Sequence, residues 1–327
     1  MDTKKSKKKP IIIFVSIVLV LCLLGFVFSS VSVNVSEDSR SNKNISSGED
    51  FVAVLNVNGT ISSSESGLLG DNSYDHKFTL DSIENLKGME NNKGIFLFVN
   101  TPGGGVYESD ELYVKLKEYQ KETKRPVYAY FAATAASGGY YISANADKII
   151  ANRNTLTGSI GVTIGTIFDL SGFMNKHGIK HETITAGNNK AMGSPVEKLT
   201  KEQKKIYQSI VDESYNQFVN IVAKGRDMSV GEAKKIADGR VYTAKQAKAK
   251  GLVDHIATKE EAISMMKDDM NLAGIEFITY KPNEQTMFDK IFASINLKKT
   301  TEFDQISKVL SINEDQGGLK LEYKMKN

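Results

Sequence analysis

From Ile11 to Phe28 the chain carries no charged residue, an apolar run close to the roughly 20 residues a helix needs to cross hydrocarbon. Lys4, Lys5, Lys7, Lys8 and Lys9 precede it and Glu37 and Asp38 follow it, so the positive-inside rule puts its N-terminus in the cytoplasm and everything beyond residue 30 outside. The pattern divides the chain into a cytoplasmic basic segment (1–10), a transmembrane anchor (11–30), a flexible linker rich in Ser, Asn and charge (31–50), a folded domain (51–282) and a C-terminal stretch (283–327). That last stretch opens with an amphipathic segment, Phe288 to Ile295, and ends in a charged tail expected to pack loosely. Two rival readings of the N-terminus are a signal peptide cleaved near Ser29 and Ser30, and a lipid-modified Cys22. Run length favours the uncleaved anchor, and the bulky Leu21 argues against lipidation.

Within the folded domain, β-type runs at Val52–Val57, Gly94–Val99, Val127–Phe131, Lys148–Ala151 and Lys180–Thr185 alternate with helical periodicity. Helices are predicted over Glu108–Glu122, after Ser137 to Ala146, over Ile167–His177 and over a long stretch from Lys201 to Ala223. Shorter ones follow near Ser229–Ala237 and Thr243–Lys250, with Ser and Thr as N-caps. Such alternation predicts βαβ units and an α/β fold.

Composition narrows the function. The net charge of +3 is the difference of 42 basic and 39 acidic residues, and five of the basic ones are the N-terminal lysines. The remainder is near neutral and offers no basic stripe with aromatics, so nucleic acid is not expected as a partner. Cys22 is the one cysteine and forms no internal disulfide, and four scattered histidines make no metal cluster. No metal or cofactor is expected.

Two segments place glycines directly after a predicted strand and before a helix: Asn100-Thr101-Pro102-Gly103-Gly104-Gly105 and Ala135-Ala136-Ser137-Gly138-Gly139-Tyr140. Such turns expose unpaired backbone amides, which suit a developing negative charge. Ser137 sits on the second turn among small residues and is the best candidate nucleophile, although the G-x-S-x-G elbow is absent. Taken alone it reads first as a helix N-cap. A serine hydroxyl needs a base, and His76, His177, His181 and His255 all sit in surface-like settings. Lysine can serve instead where burial disfavours its charged form. Lys190 lies in a loop of small and apolar residues, Thr185 to Pro195, while most lysines here sit among charges; an ordinary loop lysine remains the alternative.

Together with Thr157-Gly158-Ser159-Ile160-Gly161-Val162 and Ala237-Asp238-Gly239-Arg240-Val241-Tyr242, these segments resemble the signal peptide peptidase A family over about residues 51 to 280. These are serine peptidases related to the Clp protease and crotonase folds, and the chain resembles the short Gram-positive form. The resemblance implies a Clp/crotonase-like βαβ superhelix, so that residues 51–282 become a Ser-Lys peptidase domain. It implies Ser137 as nucleophile, Lys190 as general base with Lys198 as fallback, Gly104 and Gly138 as oxyanion-hole amides, and Ser159 as the hydroxyl that orients the lysine.

The implied partners are peptide substrates, namely signal peptide remnants and unfolded chains, the membrane through the N-terminal helix, and further copies of the chain, an octamer in the family's short forms. The long helix from Lys201 is the candidate interface. Localisation follows: single-pass in the cell membrane with the catalytic domain outside. Two alternatives belong to other classes. Crotonase-type acyl-CoA chemistry uses similar glycine turns, but its substrates are cytoplasmic. A non-catalytic anchored scaffold would keep the fold and leave Ser137 and Lys190 incidental.

Overall fold

The computed structural model describes residues 48–63, 74–281 and 322–324. The anchor and most of the linker lie outside the described residues, as does nearly all of the C-terminal stretch. Among the described residues no helix is long and apolar enough to cross a membrane.

Strand β1 (Phe51–Asn58) leads through helix α1 (His76–Lys87) to β2 (Asn92–Thr101). A short strand, β3 (Gly103–Gly105), runs into α2 (Val106–Thr123), which returns the chain to β4 (Val127–Ala136) and the short α3 (Gly138–Ser143). After β5 (Lys148–Ala151) and β6 (Leu156–Gly158) come α4 (Ser171–Lys176) and the 25-residue α5 (Lys201–Gly225). The domain is completed by α6 (Val230–Ile236), β7 (Val241–Thr243), α7 (Ala244–Ala249), β8 (His255–Ile256), α8 (Lys259–Met270), β9 (Glu276–Thr279) and β10 (Glu322–Lys324).

The main sheet runs β7-β6-β4-β2-β1-β9, with β5 pairing β4 and β8. Every pair in it is parallel except β6 with β7. Parallel strands need crossovers, and α1 and α2 supply them between β1, β2 and β4. The strands are apolar at consecutive positions because both faces are covered. Phe51, Ala53, Leu55 and Val57 join one cluster with Leu112, Leu116 and Phe218, while Val52 and Val54 join a second with Ala262 and Met266.

All six of the helices expected in the folded domain and four of the five expected strands are present, and Ser229 and Thr243 cap α6 and α7 through reciprocal bonds with Glu232 and Gln246. The strand expected over Lys180–Thr185 is absent. Those residues are exposed, Ile184 by 90%, and have no sheet neighbour among the described residues. A second correction concerns the tail. Residues 322–324 are not loosely packed: they form β10, antiparallel to β3, with Tyr323 fully buried.

Candidate active site

Both glycine turns leave the same end of the sheet. The parallel register of β2 and β4 sets Thr101 opposite Ala135, which carries the two turns to adjoining positions. A Cβ added to Gly103 would lie 2.7 Å from the Gly138 nitrogen, and one added to Gly138 would lie 3.1 Å from the Gly104 nitrogen.

One side of the first turn is braced by Thr101 and Ile61. Gly103 N donates to Thr101 Oγ1 at 3.0 Å and Gly105 N to the Ile61 carbonyl at 2.9 Å. Alternation along a strand then points the Gly104 amide the other way, toward β10. Gly104 must be glycine, because a Cβ there would fall 1.9 Å from the Ile61 oxygen.

In the second turn Ser137 has φ 55° and ψ −115°, a conformation that non-glycine residues adopt only under strain. It occupies the N-cap position of α3, yet its side chain makes no capping bond. The plain N-cap reading therefore fails: the hydroxyl is held off the helix by a backbone that a cap does not require. The Ser137 amide donates to the Gly158 carbonyl at 2.8 Å, so the first amide the turn leaves for a ligand is that of Gly138.

That bond also places the third motif. Ala136 pairs with Gly158 across β4 and β6, and Ser159 follows directly, nearly buried and with φ 49°. The fourth motif holds it there: Ser159 N donates to the Arg240 carbonyl at 2.8 Å and Gly239 N to Ile160 O at 3.1 Å. Ser137, Gly138 and Ser159 thus belong to one hydrogen-bonded assembly, with Gly104 beside it.

Lys190 has different surroundings. It is exposed, in the segment between α4 and α5, with its amide bonded to Gly187 O at 3.1 Å. This segment is tied to α5 through Tyr207, whose hydroxyl donates to Met192 O at 2.8 Å. Lys198 is exposed as well. The dryness expected around the amine is therefore not supplied by the described residues of a single chain.

The sequence pattern did not place Tyr323 at this site. Tyr323, in register with Gly104, stacks on Tyr141 at 4.7 Å, packs against Phe218 at 4.8 Å and donates its hydroxyl to Ser214 O at 3.0 Å. The Tyr141 ring is fixed in turn: its hydroxyl donates to Asp110 at 2.5 Å, and Gln217 Nε2 lies 2.8 Å from the same hydroxyl. Burial first, and the Asp110 carboxylate second, push the Tyr141 hydroxyl well above its usual pKa, so it stays a neutral donor. The Tyr323 carbonyl oxygen falls in the space between Gly103 and Gly138, 1.9 Å and 3.1 Å from where their Cβ atoms would be. An aromatic stripe of Tyr141 and Phe218 facing a glycine strand was the available signal, but it is indistinguishable in sequence from core. Chemically, the crevice can hold an extended peptide by its main chain, with one side chain among aromatics and one carbonyl beside a strained serine.

A model of peptidase family S49 matches residues 119–273. A signal peptide peptidase SppA of Enterococcus faecium, provisionally so named, is 40% identical over 288 residues, 86% of this chain and 80% of its own length. A protease of Methanocaldococcus jannaschii, also provisionally named, is 34% identical over 84% of this chain and 86% of its own. Among solved structures, a point mutant of ClpP1 from Listeria monocytogenes superposes with a TM-score of 0.42 at 16% identity, covering 64% of this chain and 94% of that one.

Proposed function

The chain belongs to peptidase family S49 and is a serine peptidase, and on that premise we propose that it hydrolyses peptide bonds with a Ser137–Lys190 dyad at the outer face of the cytoplasmic membrane. The observation that carries this reading is β10 seated antiparallel on β3, with Tyr323 opposite Gly104: an extended segment held by its main chain beside the strained serine. We read the parallel βαβ sheet as the core of a Clp/crotonase-like superhelix.

A substrate bound like β10 brings its carbonyl to the Gly104 and Gly138 amides. Ser137 Oγ adds to the carbonyl carbon while its proton passes to the neutral amine of Lys190, and the two amides stabilise the oxyanion. Collapse expels the amine of the leaving peptide, which takes the proton from Lys190. Water then attacks the acyl-enzyme by the same route. In this reading Ser159, one residue beyond the Gly158 carbonyl that holds Ser137, orients the lysine.

Lys190 needs cover to be neutral. Phe168, Phe173 and Ile184 are exposed on α4 and the chain that flanks it, an apolar surface that a second copy of the chain would cover, drying the amine. We therefore read the active form as a closed homo-oligomer that admits unfolded chains and signal peptide remnants. Phe173→Asp should lower the mass found by size exclusion with light scattering, and cut hydrolysis at least about 10-fold through the loss of cover. An unchanged mass would remove this segment from the interface.

The dyad is tested on the full chain in detergent with unfolded casein and a fluorogenic peptide. Lys190→Ala should lower kcat by about 100- to 10,000-fold at neutral pH, the contribution typical of a general base. Full activity in that variant would transfer the role to another base, with Lys198→Ala the next measurement. The anchor is tested by alkaline carbonate extraction: a chain spanning the membrane through residues 11–30 stays in the pellet, and release into the supernatant would refute it.

A further inference from the structure

Ser109 lies in the first turn of α2, on the helical face it shares with Leu112, Tyr113 and Leu116. Helical periodicity asks for an apolar residue there. Its side chain is fully buried, and its hydroxyl has no hydrogen-bond partner among the described residues. Buried hydroxyls are nearly always paired, so one left unpaired points to a use elsewhere.

Its location supplies the use. The position a Cβ on Gly138 would take is 2.6 Å from Ser109 Oγ, 3.1 Å from the Gly104 nitrogen and 3.1 Å from the Tyr323 carbonyl oxygen. A hydroxyl, an amide and a peptide carbonyl therefore converge on one side of Gly138. Alanine at 109 would fill nearly the same volume with no polar atom to satisfy. A donor unpaired before reaction, beside the site where negative charge develops, stabilises the transition state more than the bound substrate.

We propose that Ser109 is a catalytic residue, a side-chain donor to the oxyanion alongside the Gly104 and Gly138 amides. This rests on the peptidase reading above. When Ser137 Oγ bonds to the carbonyl carbon, the C=O π pair moves onto oxygen and the Ser137 proton goes to Lys190. The Ser109 O–H turns to donate to that oxygen. On collapse the pair re-forms C=O, the leaving amine carries off the lysine's proton, and Ser109 keeps its own proton throughout.

The experiment compares wild type, Ser109→Ala and Ser109→Cys in the full chain, using a fluorogenic peptide, a peptide boronate that forms a tetrahedral adduct with serine, and a non-hydrolysable peptide of the same sequence. In Ser109→Ala, kcat and boronate affinity should both fall, by about 10- to 100-fold, somewhat less than the 100- to 1000-fold typical of a main oxyanion donor. KM and affinity for the non-hydrolysable peptide should stay put, the melting temperature should hold or rise, and Ser109→Cys should fall between. Unchanged kcat and boronate affinity in Ser109→Ala, beside an active wild type, would overturn this inference alone. So would a loss confined to KM, or one that disappears when rates are normalised to folded protein. A wild type that neither hydrolyses peptide nor binds boronate would remove the peptidase reading and this inference with it.

Discussion

Ser137→Gly is expected to yield a protein more stable than its parent by about 1 kcal/mol and devoid of hydrolytic activity. Ser137 holds φ at 55° with ψ at −115°, a region where a side chain collides with its own backbone and glycine does not. The strain persists because both flanks are fixed: the Ser137 amide bonds to Gly158 and its carbonyl accepts from Tyr141 N at 2.9 Å, opening α3. Glycine keeps those bonds and relieves the strain. Ser137→Ala keeps the strain and loses only the hydroxyl, so its stability should match the parent's. In both variants hydrolysis should fall by at least about 10,000-fold, the scale on which loss of a serine nucleophile acts. Thermal unfolding and peptide turnover measured on all three proteins check this. Equal stability of the glycine variant would mean that the turn is not strained, and activity in either variant would mean another nucleophile.

The second large effect concerns Gly104→Ala. The added methyl would sit 1.9 Å from the Ile61 oxygen, 2.6 Å from its carbonyl carbon and 2.7 Å from its nitrogen. All three are backbone atoms, so no side-chain rotation gives relief, and β3 must move away from Ile61. That breaks the bonds from Ile61 N to Gly103 O and from Gly105 N to Ile61 O, both 2.9 Å. A stability loss of about 3 kcal/mol or more is expected, at the upper end of overpacking effects. In the fraction that still folds, the Gly104 amide turns away and turnover should fall about 100- to 1000-fold. Gly172→Ala in α4 is the control, since nothing lies within 4 Å of the added methyl; it should leave urea unfolding unchanged. A mild effect at Gly104 would show that β3 is compliant and a poor mount for an oxyanion hole.

How legible was this in sequence? The strand-turn-helix arrangement around Ser137 was, because glycines set between an apolar run and a helical one mark a tight turn, and the βαβ units followed from β-type runs alternating with helical periodicity. Lys180–Thr185 misled because alternation records what a segment could pair with; no strand among the described residues lies beside it. That error removes one support for Lys190, which was read as a loop residue following a strand, and leaves its small, apolar neighbours as the remaining one. Tyr323 could not be placed, since a three-residue strand carries too little pattern to separate it from a charged tail. Ser109 was hidden for the opposite reason. It interrupts an apolar helical stripe, and a serine on a buried stripe is the signal that could have found it.

The hydrogen bonds from Gly239 and Ser159 have a consequence for timing. A ribosome releases residues in order, and the Ser137 turn leans on Gly158, the following Ser159 leans on Arg240, and the edge strand Val241–Thr243 closes that side. A half-made chain with Ser137 already emerged lacks the wall behind it, so the emerging polypeptide carries a blunt blade until about a hundred further residues have joined it. Synthesis itself then delays the cutting edge until the protein that wields it is nearly whole.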